Sequence, residues 1–413
     1  MSAAADRGGA PDVAVVGGGI VGTAAAAILA GAGARVVLYE REALGAGASG
    51  RNSGVVQRPF DPALVPLYVE TVALYRELEA FGAGFALGGR AAGLLLLDPS
   101  VAVARAVAAD LAATFPDLGA EALDAADVAR LEPALAPDLA ACRVPIGFPV
   151  PPSAATYAYA TLAERRGAVI RLGRAAVPAV GGGRAAGVRV DGRLEPAAAV
   201  LVAAGPWSPA LLDPTGRWRP ITRLWGVVVE TLLGTPPGHV LEEAAMDEAL
   251  GTGAAVAGAG GPDPGSGTAG AGTARPGPIP ASPPAAADAR PAFSLVTAAG
   301  VSVVGSTFVP GDAEPGLAAW EVRLLEHGAR FVPAIADAPI RGVRACARPV
   351  ALDERPLLGA VPGVEGLYVA AGHGPWGIST GPASARLVVD AILGRAPAIA
   401  PALDAARFGS PFG

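Results

Sequence analysis

Residues 12–42 read DVAVVGGGIVGTAAAAILAGAGARVVLYERE, and the pattern changes character three times within them. Val13–Val16 is an unbroken apolar run between Asp12 and Gly17, the signature of a short strand buried on both faces. Gly17, Gly19 and Gly22 follow as G-x-G-x-x-G. An alanine-rich helix is predicted from about Val21 to Ala32, then a second strand, Arg35–Tyr39, that ends in Glu40. Each position has a physical task in a dinucleotide site. Gly17 permits the tight turn, Gly19 lets the backbone approach a pyrophosphate, and Gly22 lets helix pack on strand. The helix start directs its dipole and free N–H groups at the phosphates, while Glu40 accepts hydrogen bonds from a ribose. Strand, loop, helix, strand and acid together specify a Rossmann-like unit; whether it takes FAD or NAD is open at this point.

Composition narrows the chemistry. At 413 residues the chain is long enough for two lobes rather than one core. A net charge of −6 argues against nucleic acid as a partner. All 31 basic residues are arginine, so a lysine Schiff base, and with it pyridoxal phosphate chemistry, is excluded. Three histidines and two cysteines without ligand spacing predict no metal site. The hydrophobic 52% is mostly alanine, with no run suited to a bilayer, and MSAAADRGGAPD lacks the regions of a signal peptide; cytoplasm is the expected location.

Three further segments carry the cofactor choice: GAGASGRNSGVV (45–56), AVLVAAGPWSPALL (199–212) and GLYVAAGHGPWGISTGPASARLVVDAILG (366–394). In this order and spacing, over nearly all the chain except about 250–292, the sequence resembles the D-amino-acid oxidase superfamily of FAD-dependent oxidoreductases. It is most similar to the branch that holds glycine oxidase, sarcosine oxidase and D-amino-acid dehydrogenase. The small residues of 45–54 let backbone pass a flat ring, with Ser49, Arg51 and Asn52 as polar groups. The helix that follows the turn Gly372–Gly377 can stabilise negative charge on a reduced flavin. The resemblance implies FAD held by Gly17, Gly19, Ile20, Gly22, Glu40 and Arg41, and by Ser49, Arg51, Asn52 and Gly54 in the second segment. It adds Val177 (through its main chain, at the adenine end), Gly205 and Trp207, then Gly372, Gly374, Trp376, Gly377, Ile378 and Ser379. Trp376 stands where glycine oxidase has a polar residue, so an apolar wall is expected there.

The glycine oxidase pattern R-P-x-x-x-D-x-x-P-x-x-G reads here Arg348-Pro349, Asp353, Pro356, Gly359. The resemblance gives Arg348 the substrate carboxylate, which a guanidinium can grip with two parallel hydrogen bonds; a structural pair with Asp353 is the competing role. His373 and Arg51 are the other candidate catalytic residues, and Arg344 is expected to be exposed or structural. Trp225 and Tyr157 are expected in core packing, with a place in the pocket lining as the alternative. Cys346 lies at the spacing where sarcosine oxidases bond flavin covalently, but the neighbouring motifs follow the glycine oxidase branch, so non-covalent FAD is favoured and a link at Cys346 left open. Those oxidases use a lysine to promote oxygen reduction; without one, slow reaction with oxygen is expected unless His373 or an arginine replaces it.

The implied fold is α/β, a Rossmann-like FAD-binding lobe interleaved with a substrate lobe on a mostly antiparallel sheet. Expected boundaries are 1–90, 146–220 and 335–413 for the FAD domain, and 91–145 and 221–334 for the substrate domain. Within the latter, AAGLLLL (91–97) is predicted as a strand, Val101–Glu132 as an amphipathic helical stretch, and 250–292 as a flexible Gly/Pro/Ala insertion, with a lid as the alternative. The implied activity is oxidation of the C–N bond of a small amino acid or N-alkyl amino acid by hydride transfer to flavin, giving an imine that hydrolyses to an oxo-acid and amine. Oxygen is one electron acceptor; a quinone or protein acceptor, or a non-catalytic FAD-binding subunit, are the alternatives, and an oligomer is left open.

Overall fold

Val13–Val16 sits at the centre of a six-stranded sheet, between Val36–Glu40 and Ala199–Val202, with parallel pairing on both sides. The computed structural model describes residues 12–244, 246, 289–395 and 399–412. Outward from the centre, Val169–Leu172 extends the sheet on one edge. On the other, Leu367–Ala371 adds a parallel strand and Leu357–Ala360 an antiparallel one. Successive side chains of the central strand serve opposite layers, as a strand's period of two requires. Val13 and Val15 enter a core shared with the helices Ile20–Gly31, Val65–Ala80, Ala154–Arg165 and Gly377–Ile392. Ala14 and Val16 pack with the three-stranded meander Ala176–Gly181, Arg184–Val190, Arg193–Pro196. Ala24–Ala27 are fully buried, and their small side chains let Ile20–Gly31 lie against two neighbouring helices at once.

Among the described residues the second sheet has nine strands and is antiparallel except where Leu94–Asp98 meets Val240–Glu243. Its longest pairing joins Ile221–Thr231 to Ile340–Ala351 over their whole length. The latter strand was expected with the FAD domain from residue 335 on. Its ladder runs along Ile221–Thr231 of the second sheet, with an isolated bridge from Val350 to His373, and its alanines Ala345 and Ala347 pack with Val227 and Val229.

The α/β fold class holds, with one local correction. The helical stretch predicted for 101–132 is broken into the helix Val101–Thr114, a 3-10 turn Pro116–Leu118, the edge strand Glu121–Leu123 and the helix Ala125–Leu131. Pro116 lacks the N–H that would continue the first helix, and Gly119 takes φ +69°. Asp124 then caps the second helix by accepting from Asp127 N at 2.9 Å. The insertion predicted at 250–292 lies outside the described residues as far as 288. Beyond it, Ala289 and Ala292 are buried. Among the described residues no helix is long and apolar enough to cross a membrane.

Candidate active site

A cleft of about 440 Å³ opens where the C-terminal ends of the parallel strands meet the strand Ile340–Ala351. Its nucleotide-side wall is backbone. Gly17 has φ +116°, and a Cβ there would stand 2.4 Å from the Ala203 carbonyl oxygen, so only glycine fits the turn. A Cβ on Gly22 would stand 1.9 Å from the Gly17 carbonyl oxygen, which makes that glycine the contact between helix and turn. Gly19 faces the Ser49 hydroxyl, which accepts from Ile20 N at 2.9 Å. Glu40 closes the end of its strand: Oε2 accepts from Gly18 N at 2.7 Å and Oε1 from Glu42 N at 2.9 Å.

The loop over this wall, 45–54, is pinned from the second sheet. Asn52 spends its side chain on the loop itself: Nδ2 donates to Ser49 O at 2.9 Å and Oδ1 accepts from Gly54 N at 2.8 Å. Arg344, which the sequence left as exposed or structural, is a strut. It pairs with Glu230, donates to Asn52 O at 2.8 Å and to Arg51 O at 3.2 Å. Arg41 stacks on Trp207, its guanidinium carbon 4.2 Å from the ring centroid.

Arg344, Cys346 and Arg348 alternate along one strand and so face the same way. Arg348 Nη1 donates to Thr307 O at 2.8 Å and Nη2 to the Ser306 hydroxyl, while the guanidinium lies 4.8 Å over the Phe308 ring. Thr307 is itself fastened to the facing strand, donating to Trp225 O and accepting from Val227 N. Gly226 makes the room: a Cβ there would stand 2.2 Å from Arg348 Nη2. Among the described residues no carboxylate pairs with Arg348. The competing partner, Asp353, is held in a two-pronged pair by Arg407 at 2.7 and 2.9 Å. Burial pulls the Arg348 pKa down from its ordinary value.

Cys346 is buried, and desolvation pushes its thiol up despite the opposing pull of Arg348, Arg344 and Arg51. His373 is 3% exposed and its Nε2 has no hydrogen-bond partner; burial drops its pKa to about 4. The ring is therefore neutral near pH 7 and does not supply a positive charge.

Of the residues singled out in the sequence, the cleft brings together Gly17, Gly19, Ile20, Glu40, Arg41, Ser49, Arg51, Asn52, Val177, Gly205 and Trp207. It also gathers Cys346, Arg348, His373, Gly374, Gly377 and Ile378. Gly22, Gly54, Gly372, Trp376 and Ser379 do not line it. Trp376, expected as a wall, packs against the helical core instead. Ser379 accepts from Gln57 N at 2.9 Å, and Gly54 at φ +86° abuts the Val150 carbonyl. Trp225 is buried and lines the cleft, whereas Tyr157, expected in the core, is 50% exposed on its helix. Sequence reasoning missed Gly226, Ser306, Thr307 and Glu314, the last of which also lines the cleft. The strand pairing that places Gly226 two residues from the partner of Arg348 has no local sequence signal.

These residues fit FAD on structural grounds. One cleft is continuous from the glycine turn and Val177 to Arg348, its nucleotide-side wall is glycine backbone where Gly17 tolerates no Cβ, and His373 in its lining carries an unpaired buried imidazole nitrogen. Solved structures share the fold. Glycine oxidase from Bacillus cereus ATCC 14579 aligns with a TM-score of 0.76 at 21% identity over 94% of this chain and 96% of that one. Iminodiacetate oxidase from Chelativorans sp. BNC1 gives 0.72 at 24% over 94% and 97%. L-proline dehydrogenase from P. horikoshii gives 0.73 at 17% over 98% and 97%. At these identities the likeness is one of fold. The family model for FAD dependent oxidoreductases (DAO) matches residues 12–391, and the chain belongs to that family of FAD-dependent enzymes.

Proposed function

We propose that this oxidoreductase oxidises the C–N bond of a small amino acid or N-alkyl amino acid, with Arg348 holding the substrate carboxylate. One observation carries the reading: a half-buried guanidinium lines the cleft with no carboxylate partner among the described residues. A cation partly withdrawn from water without an anion is costly, so the position suits a ligand that brings the anion with it. The relatives named for glycine and iminodiacetate oxidation point to the same substrate class.

When bound, FAD supplies the hydride acceptor. The chain's residues supply position and dryness. Thr307 and Ser306 fix the guanidinium, which in turn fixes the substrate's carboxylate end and aims its Cα–H across the cleft. Trp225 and Ala347 line the cleft and exclude water beside it. Desolvation there lowers the pKa of the substrate ammonium, so the amine reacts neutral without a dedicated base. The resulting imine takes up water to give the oxo-acid and free amine. In this reading the flavin is held non-covalently, beside a thiol that burial keeps protonated.

Transfer of electrons to a quinone or protein rather than to oxygen is a second reading. It draws support from the absence of lysine and from the neutral His373. Anaerobic mixing with a panel of D- and N-methyl amino acids tests the main reading. The flavin should bleach with at least one of them, and Arg348→Lys should bleach more slowly with an unchanged oxidised spectrum. Bleaching by simple amines but by no amino acid would refute it.

A further inference from the structure

We infer that Tyr75, on the helix Val65–Ala80 outside the lining of the flavin cleft, is a positioning residue for FAD. Its hydroxyl replaces a helix hydrogen bond that Pro382 removes, and so holds the turn Gly377–Ile378 in the cleft wall.

The helix Gly377–Ile392 carries Pro382 in its interior. A proline has no N–H to offer the carbonyl one turn back, and its ring pushes that carbonyl aside. Here the carbonyl is that of Ile378, which is buried. Stranded in a core it would be costly, so it needs a donor from elsewhere. Tyr75 is 0% exposed, and its hydroxyl donates to Ile378 O at 2.7 Å. Thr71 lies one turn earlier on the same helix face and accepts from Ala383 N at 3.2 Å, on the far side of the proline. Two side chains of one helix thus bracket the break in the other.

The turn they hold is wall on both sides. Gly377 and Ile378 line the cleft, as do Ile20 and Val21 of the nucleotide helix. A Cβ on Gly381 would stand 3.2 Å from Cγ2 of Ile20 and of Val21, so the two helices touch there and any shift of one is felt by the other. Without the Tyr75 hydroxyl, the Ile378 carbonyl turns toward water and takes the Ile378–Ser379 peptide with it. A phenylalanine would keep the ring contact with Phe85, now 5.0 Å between centroids, and lose only the donor.

Titration of the apoprotein with FAD, read by flavin fluorescence, tests this without recourse to activity. Tyr75→Phe should weaken FAD about 10-fold, as expected for a stranded buried acceptor. Adding Pro382→Ala should restore affinity to within about 2-fold, because alanine supplies the N–H that Ile378 O lacks. Pro382→Ala alone should change affinity by less than about 2-fold, so that the rescue belongs to the pair. A role confined to packing would lower the unfolding midpoint of Tyr75→Phe and leave FAD affinity alone. Wild-type affinity in Tyr75→Phe therefore overturns the inference. So does a loss that Pro382→Ala fails to restore, or a gain in the single Pro382→Ala variant as large as the rescue. If Tyr75→Phe gives no folded protein, the double variant must give a yellow one; failure of both overturns it as well.

Discussion

Replacing Gly226 by alanine should slow amino-acid oxidation about 100-fold while leaving the flavin in place. The added Cβ would stand 2.2 Å from Arg348 Nη2 and 2.4 Å from its Cζ, where ordinary contact starts at 3.4 Å. The guanidinium must therefore retreat by about 1.2 Å, the difference between 3.4 and 2.2 Å. It is the free end of a long side chain, so it gives way before the strand register does. The retreat pulls Nη1 from Thr307 O, now 2.8 Å away, and displaces the carboxylate grip by a similar distance. A misplacement of roughly 1 Å at a positioning group costs about 100-fold in rate, or ~2.7 kcal/mol of barrier. Stability should change little, because alanine gains about 0.5–1 kcal/mol over glycine in a strand while the crowding costs a similar amount. Stopped-flow reduction under anaerobic conditions reads both the limiting rate and the apparent dissociation constant. Wild-type values for both in a folded, yellow Gly226→Ala protein would refute the placement of Arg348 at the substrate.

Arg344→Ala should lower FAD occupancy and destabilise the protein by about 2–3 kcal/mol, since Glu230 and two loop carbonyls lose their partner; flavin content and urea midpoints check it. Because the folded pKa of His373 lies near 4, below its ordinary 6.5, the unfolded chain binds the proton first. Stability is thus full above pH 6.5 and lost by roughly 3 kcal/mol as pH falls to about 4, and His373→Asn should remove that part of the slope in urea melts across this range. Acid precipitation should release the yellow colour into the supernatant, and Cys346→Ser should change neither colour nor its release; colour retained in the wild-type pellet alone would establish a covalent link at this thiol.

The nucleotide end was legible because its constraints are local. Gly17 and Gly22 answer to atoms within a few residues or in the adjoining strand, and the period of the flanking strands is carried by Val13–Val16 itself. Arg348 was legible through its pattern, but its surroundings were not. Gly226 reaches it from the facing strand, and Ser306 and Thr307 from the connection between Val301–Gly305 and Val309–Pro310; ladder register has no marker in any one segment. Residue type also proved a poor guide to side-chain use: Asn52 and Ser49 read as polar groups for the cofactor, yet both bond the protein backbone. In 101–132 the even spread of alanine blurred the periodicity, so the break at Pro116 and Gly119 was overlooked although both breakers stand in plain view.

The interleaving of the central sheet bears on how the chain comes together. Its strands come from residues 13–40, 169–202 and 357–371, so its parallel pairings span long stretches of chain, and parallel pairing across such distances closes slowly. On the ribosome, the glycine turn emerges early but lacks its far wall until Gly377 and Ile378 are made. The nascent protein must carry unpaired edges at Val13–Val16 and Val36–Glu40 until Val169–Leu172 and Ala199–Val202 are made, a state prone to mispairing. A ligand that binds only the finished cleft then acts as a late latch: cofactor supply sets the yield of folded enzyme by mass action.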